Sequence, residues 1–373
     1  MKSWIPHPGE YIKEELEARG WSQRDLAYIL GCPEQSITLI LNGKRGISME
    51  MAKQLGDSFG VPPELFSNLQ RTYDLAHARE PNPEIAERAR IQTQYPIREM
   101  IKRGWLKTTG AAELVRQLMA FFEVSDPNAI PYLAYAAKRS SYEEKNIPPM
   151  QLAWLFRVKQ IARSFIVPKY SSSTLRQAIV EMRKMLVAPE EVRHVPRLLS
   201  ECGVRFILIE PLPGCKIDGV ALWLDDNKPV IGMSTRLNRI DNFWFVLRHE
   251  IEHILKEHGR ADGMIDAELE KEQTSTMEEE NIANSAAREF CVPSGKLEDF
   301  MSRKHPFYSE DSVVAFSQRI GVHPGIVIGQ IQRRTNRYNL LRKYQVPVRQ
   351  FVVSSAMADG WGRTIQTETG KED

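Results

Sequence analysis

The sequence predicts a mainly α protein with a small α+β domain, and three observations carry that reading. Residues 8–79 place apolar residues at helical spacing between unusually clear start and stop signals. Residues 84 to about 200 are also mostly helical in pattern, interrupted at Pro127, Pro131, Pro148-Pro149, Pro168 and Pro189. Only from Val204 do short β-rich runs appear, at 204–210, 220–224 and 229–233, and they lead into an apolar helical stretch from Phe243 to Leu255.

A chain of 373 residues with 42% hydrophobic content can bury two or three cores. The pattern predicts four regions: a helical bundle at 1–80, a helical connector or regulatory region at 81–200, a third domain with a small sheet at 201–353, and a disordered tail at 354–373, where residues are small and polar. Glu80-Pro81-Asn82-Pro83-Glu84 reads as the first linker, because two prolines in three residues discourage helix. The N-terminus has no basic segment followed by an apolar one, and no run approaches eighteen apolar residues, so a soluble cytoplasmic protein without a membrane partner is expected. Cys32, Cys202, Cys215 and Cys291 lie far apart with no CxxC pair, which suggests reduced structural thiols. The net charge of +2 advertises no large field for nucleic acid.

Within 1–80 the elements follow from their ends. Pro8 starts a first helix and Gly20 stops it; Ser22, with Asp25 three residues on, caps a second that Gly31 ends. Pro33 opens a third, closed by Asn42-Gly43, Ser48 caps a fourth that runs to Gly60, and a fifth follows Pro62-Pro63 from Glu64 to about Arg79. Small Ala27 and the turn at Gly31 let the second and third helices cross closely.

Ser22-Gln23-Arg24-Asp25-Leu26-Ala27, Gly31, Ile37, Ile40 and Asn42-Gly43-Lys44-Arg45 resemble the Cro/C1-type helix-turn-helix family. His7-Pro8-Gly9-Glu10 and Pro63-Glu64-Leu65-Phe66 look, more narrowly, like HigA-type antitoxins, and the resemblance covers nearly all of residues 6–78. It implies a recognition helix at Pro33–Leu41, with Gln35, Ser36 and Thr38 facing base edges and Gln23, Lys44 and Arg45 on phosphates. Residues 1–80 hold 9 Lys+Arg against 11 Asp+Glu, a net of −2, so a monomer should bind DNA weakly and a homodimer reading two half-sites of an operator is expected.

Arg248-His249-Glu250-Ile251-Glu252-His253 is an HExxH run. On a helix His249 and His253 stand one turn apart on one face and can grip a zinc ion, with Glu250 beside them. A third ligand is needed. Glu257, eight residues or about 12 Å beyond His249, is out of reach, His258 is off the ligand face, and Gly259 stands where a metzincin would carry its third histidine. A carboxylate from the helix predicted at Glu278–Pro293 remains, with alanines that permit close packing.

Over about residues 200–340 the chain resembles the ImmA/IrrE family of zinc metallopeptidases. The matching features are Gly219-Val220-Ala221-Leu222-Trp223-Leu224, Pro229-Val230-Ile231, Asn242-Phe243-Trp244-Phe245, the HExxH run, an E-x-x-A-N helix ending in Val292-Pro293, and Gly321–Gly329. By that match Glu280 is the third ligand; Glu279, nearer the centre of the apolar face of Ile282, Ala286 and Phe290, is the alternative. The resemblance implies water attack on a peptide carbonyl, with Zn2+ as Lewis acid and Glu250 as general base. It also offers His323 as an oxyanion partner, with a capping or packing role beside Pro324 as the alternative; separately, the β-rich run at 229–233 reads as a sheet edge for an extended peptide.

Together these resemblances imply a DNA-binding transcriptional regulator, antitoxin-like or prophage-type, whose zinc-dependent endopeptidase domain cleaves a regulatory protein or itself. The alternative is a non-catalytic zinc-binding repressor or antitoxin that neutralises a HigB-type toxin, so a toxin or repressor protein is an expected partner or substrate.

Overall fold

The computed structural model describes residues 5–126, 135–137, 147–258, 260 and 269–367, with the backbone alone at 135–137 and 269–276. The chain divides into two compact units, residues 1–83 and 84–373.

The first unit contains five helices: α1 (Pro8–Arg19), α2 (Gln23–Ile29), α3 (Glu34–Leu41), α4 (Met49–Phe59) and α5 (Glu64–His77). Local chemistry fixes their ends. The His7 side chain accepts from the Gly9 N–H, Ser22 and Asp25 form a reciprocal capping box, and Ser48 accepts from the Met51 N–H. Gly20 and Gly60 stop α1 and α4 at φ of 66° and 69°, a left-handed conformation that side chains other than glycine's resist. Ile12, Leu16, Leu26, Ile37, Ile40, Leu55, Phe59 and Phe66 meet in one core.

The second unit is built around a five-stranded mixed sheet. Before and within it come α6 (Pro83–Gln94), α7 (Ile97–Lys102), α8 (Ala111–Phe122), β1 (Tyr135–Ala137), α9 (Pro149–Ser164), α10 (Ser172–Lys184), α11 (Val195–Glu201), β2 (Arg205–Ile209), β3 (Gly219–Trp223) and β4 (Pro229–Met233). Then follow α12 (Ile240–Leu255), α13 (Leu269–Cys291), α14 (Ser294–Lys304), α15 (Glu310–Ile320), α16 (Pro324–Thr335), α17 (Arg349–Val353) and β5 (Met357–Asp359). The strand order is β1-β3-β4-β2-β5. β3 runs antiparallel to β1 and β4, while β2 is parallel to β4 and β5.

The three central strands are buried on both faces, and their alternation sorts side chains into two cores. Phe206, Leu208, Ala221, Ile231 and Met233 join α12 and its neighbours on one side. Ile207, Ile209, Val220, Leu222 and Val230 join Trp154, Phe156 and Val158 of α9 on the other. The sheet is therefore sandwiched, with α12 on one face and α9 on the opposite one.

Three sequence expectations need correction. The connector expected at 81–200 is no separate domain, because α9 covers one face of the sheet and α10 and α11 supply Leu175, Met182 and Leu199 to the core on the other. The tail expected to be disordered from 354 instead adds β5, pinned because the Asp359 carboxylate pairs with Arg157 at 2.6 Å in the interior and accepts from Trp105 Nε1. The run at 229–233 is not an edge: β4 lies between β3 and β2, so both its sides are already paired and a peptide cannot add there.

Candidate nucleic-acid interface and metal centre

In the first unit, α2 and α3 pack through Leu26, Ala27, Ile37 and Ile40, leaving Gln23, Arg24, Glu34 and Gln35 exposed on their outer faces, together with Tyr28 and Ile29 of α2. Gln23 and Gln35 are exposed, and Ser36 and Thr38 are half-buried along α3. Thr38 Oγ1 donates to Gln23 Oε1 at 3.1 Å, tying the two helices across the turn. Arg45, exposed beside Lys44 after α3, donates to Ser36 Oγ at 3.4 Å. All six sequence-predicted contact residues thus belong to α2, α3 and the turn after α3, a helix pair of the size a major groove admits.

In the second unit, α12 presents His249 and His253 on one face, and α13 brings Glu280 opposite them. Ala283 and Ala287 on that face of α13 are fully buried, and their small size allows the two helices to approach. The His249 and His253 Nε2 atoms lie 3.1 Å apart. Glu280 Oε2 is 3.3 Å from the first and Oε1 3.4 Å from the second. One ligating atom from each residue lies within 4.8 Å of the other two. The residues are 0%, 1% and 5% exposed. Glu279, the alternative carboxylate, is only partly buried and stands outside this convergence.

Burial alone would push the Glu280 carboxyl up, but hydrogen bonds from His249 and His253 outweigh it and hold the group down at about 2. The cluster is therefore a carboxylate facing two imidazoles away from water. Two nitrogens and one carboxylate, converging from two helices, are the donor set that zinc takes when one position is left for water or substrate. The residues fit that ion.

Glu250 is fully buried next to the first histidine. β3 runs close beneath it: a Cβ on Gly219 would come within 2.8 Å of Glu250 Oε1 and 2.6 Å of Val246 Cγ1. Gly219 thus makes the space in which the Glu250 side chain sits. In the sequence Gly219 enters only as part of the run that resembles the ImmA/IrrE family, although a glycine at a strand start signals such an approach.

His258, which the sequence places off the ligand face, does not join the three converging residues. The chain nevertheless turns back after α12 through Glu257, at φ 58°, and His258 N–H donates to the His253 carbonyl at 2.9 Å. This brings His258 Nδ1 within 2.9 Å of His253 Nδ1. Burial, and then the neighbouring His253, bring the His258 imidazole down to about 4. His323 caps α16, its Nδ1 accepting from the Gly325 N–H at 3.1 Å, which is a structural use of that side chain.

Two short helices packed across a tight turn, with polar residues exposed along the second, define the first unit as a helix-turn-helix module. A helix-turn-helix family model matches residues 12–66. Virulence-associated protein A' of Dichelobacter nodosus is 37% identical over 90 residues, which is 24% of this chain and 76% of that protein. An uncharacterised HTH-type transcriptional regulator, YddM, of Escherichia coli (strain K12) is 32% identical over 89 residues, 24% of this chain and 94% of that protein. Through this unit the chain belongs to the helix-turn-helix family. The solved structure of an addiction module antidote protein of a HigA family from Coxiella burnetii is 41% identical over 19% of this chain and 79% of its own, with a TM-score of 0.19.

Among the described residues, no helix is long and apolar enough to cross a membrane.

Proposed function

We propose that this protein is a transcriptional regulator of the antitoxin or prophage type that binds operator DNA as a homodimer and carries a zinc-dependent endopeptidase of ImmA/IrrE kind in its second unit. The observation that carries the enzymatic half is the buried convergence of His249, His253 and Glu280 with Glu250 beside it. Bound there, zinc would supply Lewis-acid chemistry toward a water and a peptide carbonyl. His249 and His253 would hold it through Nε2, and Glu280 through one carboxylate oxygen. Glu250, adjacent to a ligand on the helix yet off the ligand face, is the group that would take a proton from the attacking water. Val246 and the close approach of Gly219 restrict where that carboxylate can swing. The regulatory half draws on the relatives, one of which is named an HTH-type transcriptional regulator. A toxin or repressor protein as partner or substrate follows from the same reading.

Burial favours a second reading. With all four residues 5% exposed or less, a peptide reaches Glu250 only after a rearrangement, and a zinc-binding repressor without turnover needs none. Glu250→Gln separates the two, because it keeps shape while removing the base. Wild-type and Glu250→Gln cells are compared under DNA damage or phage challenge, following this protein and operon products by mass spectrometry. The endopeptidase reading expects fragments in the wild type alone, with loss of cleavage by several orders of magnitude in the variant. Identical fragment patterns and identical operon induction favour the repressor.

A further inference from the structure

We infer that His258 is a positioning residue for the metal centre: it accepts a hydrogen bond from His253 Nδ1–H and so fixes the tautomer that turns the Nε2 lone pair of His253 toward the ion. The inference rests on the zinc reading of the same site.

A neutral imidazole carries one N–H and one lone pair, so whichever nitrogen donates decides which one can ligate. His253 Nε2 faces His249 Nε2 and Glu280, the metal side, and its Nδ1 faces His258 Nδ1 at 2.9 Å. Only one hydrogen fits between those two Nδ1 atoms. When Nε2 holds an ion, that hydrogen belongs to His253 and His258 is the acceptor.

Anchored backbone gives this contact its direction. The His258 N–H is held by the His253 carbonyl and its own carbonyl accepts from Trp223 Nε1 at 3.3 Å. Trp223 is in turn packed edge-on against Tyr170 and lies beneath the Arg260 guanidinium. The end of α12 and strand β3 therefore clamp the acceptor in place, and the clamp forms only because Glu257 adopts the left-handed conformation.

Three variants test the assignment in the full-length protein stripped of metal and titrated with zinc against a chelator. Asn at 258 hangs Oδ1 from Cγ where the imidazole hangs Nδ1, so His258→Asn keeps an acceptor without the ring. His258→Phe keeps the ring without an acceptor, and His258→Ala keeps neither. Positioning predicts wild-type-like zinc affinity in His258→Asn and about 10- to 100-fold weaker binding in His258→Phe and His258→Ala. Packing alone predicts the reverse order, Phe tolerated and Asn not. Circular dichroism of the metal-free proteins checks that each variant is folded. Wild-type affinity in a folded His258→Phe overturns the inference while leaving the zinc reading intact; a wild-type protein that binds no zinc removes both.

Discussion

The two units put their chemistry in opposite places. In the first unit the residues assigned to DNA stand outward: Gln23, Gln35, Lys44 and Arg45 are exposed, and Ser36 and Thr38 are half-covered by their neighbours. In the second unit His249, Glu250, His253 and Glu280 are sealed inside, beside the core that α12 shares with the sheet. The difference follows from what each task needs. Groove reading uses side chains that project from a rigid helix pair and exchange water for base edges. A metal centre needs donors held by the surrounding packing and hydrogen bonds, so that their positions are set before the ion arrives. On the proposed reading, one unit carries its function on its surface and the other builds it into its core.

If that contrast is right, damage to the second core should spare the first unit, and the largest expected effect lies there. Arg157 and Asp359 form an ion pair with both side chains 2% exposed, and Arg157→Ala leaves the carboxylate buried and uncompensated. The second unit should lose about 3–5 kcal/mol. Calorimetry should then show one lowered transition beside an unchanged one, with operator binding retained; a single merged transition shifted as a whole would break the comparison.

A smaller effect sharpens the surface side. Gln35→Ala should cost about 1–3 kcal/mol on the specific operator, while Lys44→Ala weakens specific and non-specific DNA alike and lowers the salt dependence. Equal footprints from the double variant and the wild type would remove α3 from the interface.

The smallest expected effect is the absence of a reaction. Burial, followed by the charge of Glu201, pushes the Cys202 thiol up to about 11, and burial also raises Cys215. Only the thiolate is nucleophilic, so its fraction falls as pH drops below the raised value. Alkylation of the native protein at pH 8, mapped by mass spectrometry, should leave both cysteines unmodified; rapid labelling of Cys202 would show that this core opens.

The same contrast explains what was legible in the sequence. Ser22 and Asp25, Gly20, Ser48 and Gly60 act on backbone within four residues of themselves, so the five helices could be read one signal at a time. His249, Glu250 and His253 were legible for the same reason, since helical spacing is local. Other features depend on distant partners. β5 was hidden in a polar tail because its anchor, Arg157, lies 202 residues away. The run at 229–233 reads as an edge in the sequence because strand order is a property of the whole sheet. Periodicity sets His258 off the ligand face but ceases to apply where α12 ends at Leu255, and the left-handed Glu257 turns the chain back onto His253. The choice between Glu279 and Glu280 rested on resemblance and on a helical-wheel argument that disagreed. Among the described residues Glu280 is the carboxylate that converges with the histidines, on the same helix as the buried Ala283 and Ala287.

Zinc content tests the central claim most directly, because it asks whether that buried convergence is a metal centre at all. Purified wild-type protein, analysed by atomic emission, is expected to hold about one zinc per chain, Glu279→Ala the same, and Glu280→Ala little or none, with DNA binding by the first unit unaffected in all three. A zinc-free wild type, or a Glu280→Ala protein that keeps its zinc, would contradict it.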